Sequence, residues 1–438
     1  MRDAILIFLL PILMYYAIKR PFIGLSLWLW SSLVPMQTWS FGIATTIRWN
    51  MIFALCTMLG YLFQPDKPKF LFNKIFGLYL LFVVWVSIAS FMHSGYDDHV
   101  FRQYDRFIKA SLFFLFAALI VEKEHHLEAL IWALVLSVGL MAGTQGVAVI
   151  VSAGGHKPLG ISNAFNDNNL AALATLMTLP FLIYLFFKYR HQKLLKYALL
   201  AGMTSNLAFV IGSDSRGAFL GLIVLVGYFF LKSDKKALVS VFLIAGGLLG
   251  FFLVDQAWTD RMGTMSELGS DNSFQGRLVA WKLHLLMALE SPLFGGGFDA
   301  ASYGPTVQYL LMDWDKVSFI PSADPGELHV AHSIYFQILG DNGFGGFFIY
   351  ILMLAVLLSS LKSLKKKVVN ERVNSMAMYT GLSVMAFLVS GAALSAAYNE
   401  IILMLLAFQV GLSRFYMREL EKKQNVKKLL NKSTIRTL

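Results

Sequence analysis

The chain has 438 residues, of which 57% are hydrophobic and 14% charged, against roughly 45–50% apolar and about 25% charged in an ordinary soluble domain. That balance excludes a water-soluble globule, a collagen and a disordered chain, and the single cysteine, Cys56, excludes an internal disulfide. The net charge of +11 says nothing about a partner until its distribution along the chain is known.

Apolar stretches near the roughly 20 residues that a helix needs to cross the hydrocarbon layer fall at 4–18, 21–35, 50–63, 75–92, 109–121, 127–152, 169–187, 196–212, 216–231, 237–254, 333–361, 376–394 and 400–417. The pattern predicts an all-α polytopic membrane protein with about 12 to 13 transmembrane helices, the first two of them short. The first span runs into Lys19-Arg20 with no small-residue cleavage site, so it is expected to remain as an anchor.

Charge then orients these spans. One set of alternating loops carries Lys19-Arg20, then Lys67, Lys69 and Lys74, then Lys188, Arg190, Lys193 and Lys196, then Lys232, Lys235 and Lys236, then Lys362 to Arg372. The C-terminal tail belongs to the same set, and the opposite loops have an acidic excess. By the positive-inside rule the basic set is cytoplasmic. The +11 therefore reports orientation; the expected partner is the lipid bilayer, and no nucleic acid is expected. The chain divides into transmembrane helices with short loops at 1–254, a large periplasmic loop containing short helices at 255–331, C-terminal transmembrane helices at 332–417 and a basic cytoplasmic tail at 418–438. The tail suits a helix lying on anionic head groups.

Polar residues gather on the outer face. They include Asp97-Asp98, the run from Asn163 to Asn169, Asp214-Ser215-Arg216, Asn399-Glu400 and the long loop with Trp258, Trp281 and Trp314. A loop of that length in a protein of tight hairpins is expected to carry function. Neither hydropathy nor motif spacing repeats between two halves, which weighs against an inverted-repeat transporter.

Three cationic or titratable residues stand where this face meets the hydrocarbon. Arg216 lies in Ser213-Asp214-Ser215-Arg216-Gly217, Arg277 in Gly276-Arg277-Leu278-Val279-Ala280-Trp281, and His332 in Ala331-His332-Ser333-Ile334-Tyr335. Charge at that depth is costly unless paired or used, which makes each a functional candidate. The plainer readings are an Arg216–Asp214 pair, an Arg277 pair with Glu290 or Asp271, and an interfacial His332. Two further patterns are weaker. Glu327 to His332 holds two histidines near a carboxylate but lacks the spacing of a zinc-protease helix, so no metal site is expected. Gly295-Gly296-Gly297 lacks the Gly-Lys-Ser/Thr of a phosphate loop and reads as a corner.

Two separated outer arginines, a long outer loop, and His332-Ser333 followed by nine residues to Gly343-Phe344-Gly345-Gly346 together resemble the O-antigen ligase and polymerase superfamily of membrane glycosyltransferases. Ser215-Arg216-Gly217, Gly276-Arg277 through Ser291-Pro292-Leu293-Phe294-Gly295, and Asn166-Asp167-Asn168-Asn169 are similar to that family as well. At the amino end, Met1-Arg2-Asp3, Arg20-Pro21-Phe22-Ile23-Gly24 and the stretch around Trp28 and Trp30 look like its exosortase-associated O-glycosylation ligase branch.

The resemblance implies transfer of a glycan from a polyprenyl-diphosphate carrier to a hydroxyl or amine of a lipid, glycan or protein acceptor. The site would face the periplasm from a bacterial inner membrane, with no cofactor. A repeat-unit polymerase shares the donor chemistry, and a lipid-linked glycan transporter is the more distant alternative. Arginine's fixed, permanently charged fork suits diphosphate oxygens, which assigns Arg216 and Arg277 to the leaving group. His332 either takes the acceptor's proton or hydrogen-bonds the diphosphate. Asp214 and Glu400 are candidate orienters, and Ser333 and Tyr335 candidate substrate contacts. No carboxylate pair suggests a covalent intermediate, so a single inverting displacement, independent of metal, is expected.

Overall fold

The computed structural model describes residues 2–34, 36, 40–68, 70, 72–93, 97–161, 165–232, 272–322, 330–366 and 371–436. Among them every regular element is helical. In chain order the helices are α1 (Arg2–Lys19), α2 (Pro21–Leu33), α3 (Trp49–Leu62), α4 (Lys74–Met92), α5 (Asp97–Ile120), α6 (Glu124–Val151), α7 (Asn168–Tyr189), α8 (Lys193–Gly212), α9 (Arg216–Lys232), α10 (Asn272–Glu290), α11 (Gly304–Leu311), α12 (Ile334–Lys366), α13 (Glu371–Gly391) and α14 (Glu400–Arg436). The span expected at 237–254, the start of the long loop at 255–271 and its Pro-, Asp- and Gly-containing stretch at 323–329, with Glu327 and His329, lie outside the described residues.

Seven of these helices (α4, α6, α7, α8, α12, α13 and α14) are long and apolar enough to cross a membrane, and the shorter α2, α3 and α9 are also apolar. The chain is an all-α multi-pass membrane protein. Local chemistry sets several helix starts: the Asn73 side chain accepts the Ile75 N–H at 2.8 Å ahead of α4, and Asp167 Oδ1 accepts the Asn169 and Leu170 N–H groups at 2.7 and 2.9 Å ahead of α7. Within α6 a π-helical turn at Val135–Gly139 leaves the Gly139 carbonyl to Asn206 Nδ2 of α8 at 2.8 Å. That bond supplies a partner where the regular i−4 ladder is interrupted.

Two elements depart from the hydropathy pattern. The span expected at 109–121 begins at Asp97, because its first turns are amphipathic: Val100 and Phe107 are buried while Arg102 and Arg106 are exposed. The span expected unbroken at 333–361 is interrupted at Gly343, whose φ of 65° and ψ of −172° are not helical.

The core lies around α7, α13 and α14, where Phe181 meets Phe408 at 6.0 Å and Tyr184 meets Tyr379 at 5.8 Å between ring centroids. At the basic-loop end of the bundle ion pairs tie the end of α7 and the starts of α6 and α13 together, and join α14 to the loop between α5 and α6. Lys188 of α7 reaches Glu124 at 3.0 Å and Glu128 at 2.8 Å, Arg372 of α13 reaches Glu124 at 2.6 Å, and Arg418 of α14 pairs with Glu122. Buried Arg414 donates to the Ala118 and Leu119 carbonyls at the end of α5. The opposite end holds the three residues singled out above.

Candidate functional site

Between α9 and α12 the described part of the long loop, 272–322, has its own small core. Val279, Leu283, Leu286 and Met287 of α10 pack with Ala301, Val307, Leu310 and Trp314, and the buried Lys282 ammonium stands 4.1 Å over the Trp314 ring. With one face of α10 covered this way, its other face meets α12. Trp281 stacks on Phe336 with centroids 5.1 Å apart and planes 7° from parallel. His284 packs on Gly340 so closely that a Cβ there would come within 2.5 Å of the imidazole Cδ2. These contacts advance in the same sense along both helices, so α10 and the start of α12 run side by side in parallel. Arg277 lies one turn before Trp281 in α10, and His332 lies in the segment just ahead of α12, so both belong to the same end of this parallel helix pair.

His332 has a φ of 47°, a left-handed conformation that costs a non-glycine residue about 1–3 kcal/mol and that concentrates at functional sites. The surrounding structure holds it there. Its backbone N–H donates to Ser395 Oγ at 2.7 Å, the Tyr335 hydroxyl donates to the Leu388 carbonyl at 3.0 Å, and the Ala397 N–H donates to Gln337 Oε1 at 3.0 Å. The 388–397 segment therefore grips the beginning of α12 at three places. Ser333 is buried and its Oγ accepts the Tyr335 N–H at 3.3 Å, so this hydroxyl serves the helix start. Tyr335 likewise commits its hydroxyl to backbone.

Arg216 opens α9 in a comparable way. Asp214 is left-handed, with a φ of 56°, and Ser215 Oγ accepts the Ala218 N–H at 3.4 Å. The next residue, Gly217, lies against the same turn that holds His332, with room for no more than a tight Cβ at 3.2 Å from the Ser390 carbonyl. Asn168 Nδ2 donates to the Ser213 carbonyl at 2.7 Å, which draws the capped start of α7 to this point. The beginnings of α7, α9 and α12 therefore converge, and helix N-termini carry partial positive charge toward an anion. Asp214 pairs with Lys157 at 3.0 Å, and Glu290, the partner considered for Arg277, pairs with Lys316 at 3.0 Å.

The break in α12 joins the glycines of the two patterns quoted above to residues that the sequence reading passes over, Asp341, Asn342, Asp299 and Tyr398. Around Gly343 the chain is stitched to 292–297: Phe344 N–H donates to the Pro292 carbonyl at 2.8 Å, Gly296 N–H to Gly340 at 2.8 Å and Gly297 N–H to Asp341 at 3.0 Å. A Cβ on Gly343 would fall 2.6 Å from the Leu293 carbonyl carbon and 2.7 Å from the Gly295 nitrogen. Asp341 and Asn342 are both buried. The Asp341 carboxylate accepts the Tyr398 hydroxyl at 3.0 Å and the Asp299 N–H at 3.1 Å, and Asn342 Nδ2 donates to the Tyr398 oxygen at 2.6 Å. An aspartate inside an apolar run was the available signal.

His284 also belongs to this region. It is buried, its Nδ1 donates to the Ala280 carbonyl at 2.8 Å, and its pKa is pushed down to about 4, chiefly by burial, with the charge of nearby His332 acting in the same direction. Neutral at working pH, it supports α12 without adding charge beside His332.

Glu400 stands apart. It lines a cavity of about 650 Å³ together with Arg48 and Arg106, and neither arginine candidate nor His332 lines that cavity. His332 and Tyr335 are thus bonded to the 388–397 segment and Gly217, next to Arg216, packs against it, Arg277 lies at the start of α10 that runs beside α12, and Glu400 lines a different space. Among the described residues no group of three or more His, Cys, Asp or Glu side chains could hold a metal ion.

Two family comparisons fall on the chain. Residues 1–212 match a family described as one of unknown function, and residues 198–351 match the family described as O-antigen ligase. No curated protein matches the chain. The second match includes Arg216, Arg277, His332 and Gly343.

Proposed function

Because residues 198–351 match the family described as O-antigen ligase, we propose that the chain transfers a glycan from a polyprenyl-diphosphate carrier to a hydroxyl or amine acceptor at the periplasmic face of a bacterial inner membrane. The observation that supports this reading is the parallel packing of α10 on α12, by which the helix ends that carry Arg277 and His332 lie on one side of the bundle, where Gly217 at the start of α9 packs against the 390–394 turn.

In the proposed step the acceptor oxygen or nitrogen attacks the anomeric carbon from the face opposite the diphosphate. The bond from that carbon to the diphosphate oxygen breaks, its electron pair leaves on the diphosphate, and the acceptor's proton passes to His332. Configuration inverts. Charge grows on the leaving oxygens, and two guanidinium forks with the converging helix N-termini stabilise it in surroundings of low dielectric. Because these fixed charges can do the work of a cation, no divalent ion is assigned a role. Asp214, engaged with Lys157, fixes the turn before Arg216, and Ser333 and Tyr335 fix the turn after His332.

The test is transfer by purified protein in nanodiscs from a lipid-diphosphate-linked oligosaccharide, with the product identified by mass. Arg277→Ala and His332→Ala are each expected to lower the rate by about 10² to 10³ while the protein elutes as the parent does, the scale seen when a preorganised charge-stabilising donor is lost. EDTA is expected to leave the rate unchanged. Near-parental turnover by both variants would overturn the assignment of the site, and loss in EDTA restored by a divalent ion would overturn the metal-independent mechanism.

A further inference from the structure

The cavity that Glu400 faces has the form of a lipid site. It is a groove of about 650 Å³ lined by α2, α3, α5 and the start of α14. Cations cluster at its mouth: Arg48 immediately precedes α3, and Arg106 and Lys109 lie in the first half of α5. All three are exposed, and they face a single lining carboxylate, Glu400; Asp105 is turned to Lys109. Farther along the same helices the wall becomes apolar, with Leu55 and Met58 on α3, and Phe113 on α5 meeting Trp28 of α2 edge-to-face at 5.5 Å. The mouth is at the same end of the bundle as His332, because Glu400 follows Ser395 by less than two helical turns of chain.

Positive charge at the membrane surface continuous with an apolar trough below it is complementary to an anionic head group on a long hydrocarbon chain. It is a poor match for a soluble sugar, which would leave the apolar wall uncovered, or for a neutral lipid, which would leave Arg48 and Arg106 with Glu400 as the one carboxylate in the lining to answer them. We propose that this groove binds a polyprenyl phosphate, its phosphate held by Arg48, Arg106 and Lys109 and its first isoprenoid units lying against Leu55, Met58, Trp28 and Phe113. As Arg216, Arg277 and His332 do not line it, the groove is a second lipid-phosphate site. That the chain is an isoprenoid one, and that the groove seats a second lipid-linked substrate, rest on the transferase reading above; the fit to an anionic lipid does not. This gives the 1–212 region, which supplies three of the four lining helices, a binding role.

The experiment is photolabelling of the full chain in nanodiscs with a polyprenyl phosphate carrying a diazirine on its chain, followed by peptide mass mapping. Label is expected on α3 and on the Arg106–Phe113 part of α5. Unlabelled polyprenyl phosphate should compete, whereas phosphatidylglycerol in the disc and free pyrophosphate should not. The double variant Arg48→Glu with Arg106→Glu is expected to lose at least about tenfold of the labelling, as is Leu55→Trp, which fills the trough without touching charge. Equal competition by phosphatidylglycerol would mean an ordinary annular lipid and would overturn the proposal, as would unchanged labelling in both variants or label confined to other helices. Arg277→Ala separates the two readings: it should stop transfer and leave groove labelling intact. Normal transfer by Arg277→Ala and His332→Ala would sink the catalytic reading while the labelling still decides the groove.

Discussion

Trp281 lies flat on Phe336, 5.1 Å between ring centroids, and this contact sets the relative height of α10 and α12. A stacked aromatic pair contributes about 0.5–1.5 kcal/mol beyond the area it buries. Its larger consequence is positional, because a shift of the two helices past each other would separate Arg277 from His332, and misplacement near 1 Å can cost about 10² in rate. Trp281→Ala is expected to lower transfer by about that factor although both charged residues remain, whereas Trp281→Phe keeps a stacking ring and should hold most of the rate. Turnover per mole of protein with parental elution is the measurement. Equal rates for the two variants would show that the stack does not set the register.

His332 keeps its left-handed backbone with the help of the Ser395 hydroxyl, whose Oγ lies 2.7 Å from its N–H. Ser395→Ala removes the acceptor, at about 1 kcal/mol in stability for one hydrogen bond, and releases the strained residue toward ordinary φ values. Transfer should fall about tenfold through the turnover number, with little change in the Michaelis constant for the donor, as expected when an interaction made only in the transition state weakens. Ser395→Thr should retain the rate. A Ser395→Ala enzyme with parental turnover would detach this turn from the orientation of His332.

Glycine substitutions separate the break in α12 from ordinary helix. At Gly343 an added Cβ would meet backbone of 293–295 at under 3.0 Å, and φ is 65°. Gly343→Ala should therefore destabilise by at least about 2 kcal/mol, from strain and from loss of the bonds to 292–297. At Gly227 of α9 a Cβ meets nothing within 4 Å, so Gly227→Ala should be neutral or stabilise by up to about 1 kcal/mol. Thermal unfolding of the two variants in the same detergent checks the contrast, and similar midpoints would contradict it.

The helical class and the spans were legible because apolar runs of membrane length have few other solutions in lipid. The three candidates were legible for the complementary reason, that charge at the membrane boundary needs a use or a partner. What hydropathy does not register is a break made of small residues. Gly340, Gly343, Gly345 and Gly346 leave the mean hydropathy of 333–361 high, yet Gly343 is where the helix stops, and Asp341 is buried against Tyr398 and Asp299. Pairings between distant segments were also out of reach. Ser395 with His332, and Trp281 with Phe336, are separated by tens of residues and leave no local pattern. Glu400 is a further case: as a candidate orienter of His332 or of the acceptor it is read from its place in the sequence alone, and the space it lines, with Arg48 and Arg106, is set by packing between distant helices.

His284 gives the pH dependence of this region a definite sign. Burial pushes its pKa down to about 4, whereas an unfolded chain binds the proton with a pKa near 6.5. Between those values the unfolded state takes up more protons than the folded one, so stability is whole above about pH 6.5 and drains away as the pH falls toward 4. The contribution of this one imidazole amounts to about 2 kcal/mol of lost stability at pH 5, and about 3 kcal/mol once both states are protonated. His284→Gln, which keeps a hydrogen-bond donor for the Ala280 carbonyl and cannot be protonated, should remove that share of the acid sensitivity. The measurement is the unfolding midpoint of both proteins at pH 7, 6 and 5 in one detergent: a glutamine that costs more than about 2 kcal/mol at pH 7 should leave the curves closest at pH 5, a smaller cost should make them cross, and no cost should leave them together at pH 7 with the variant the more stable at pH 5. Parallel curves over the whole range would mean that His284 does not titrate with the fold and that the acid sensitivity resides elsewhere.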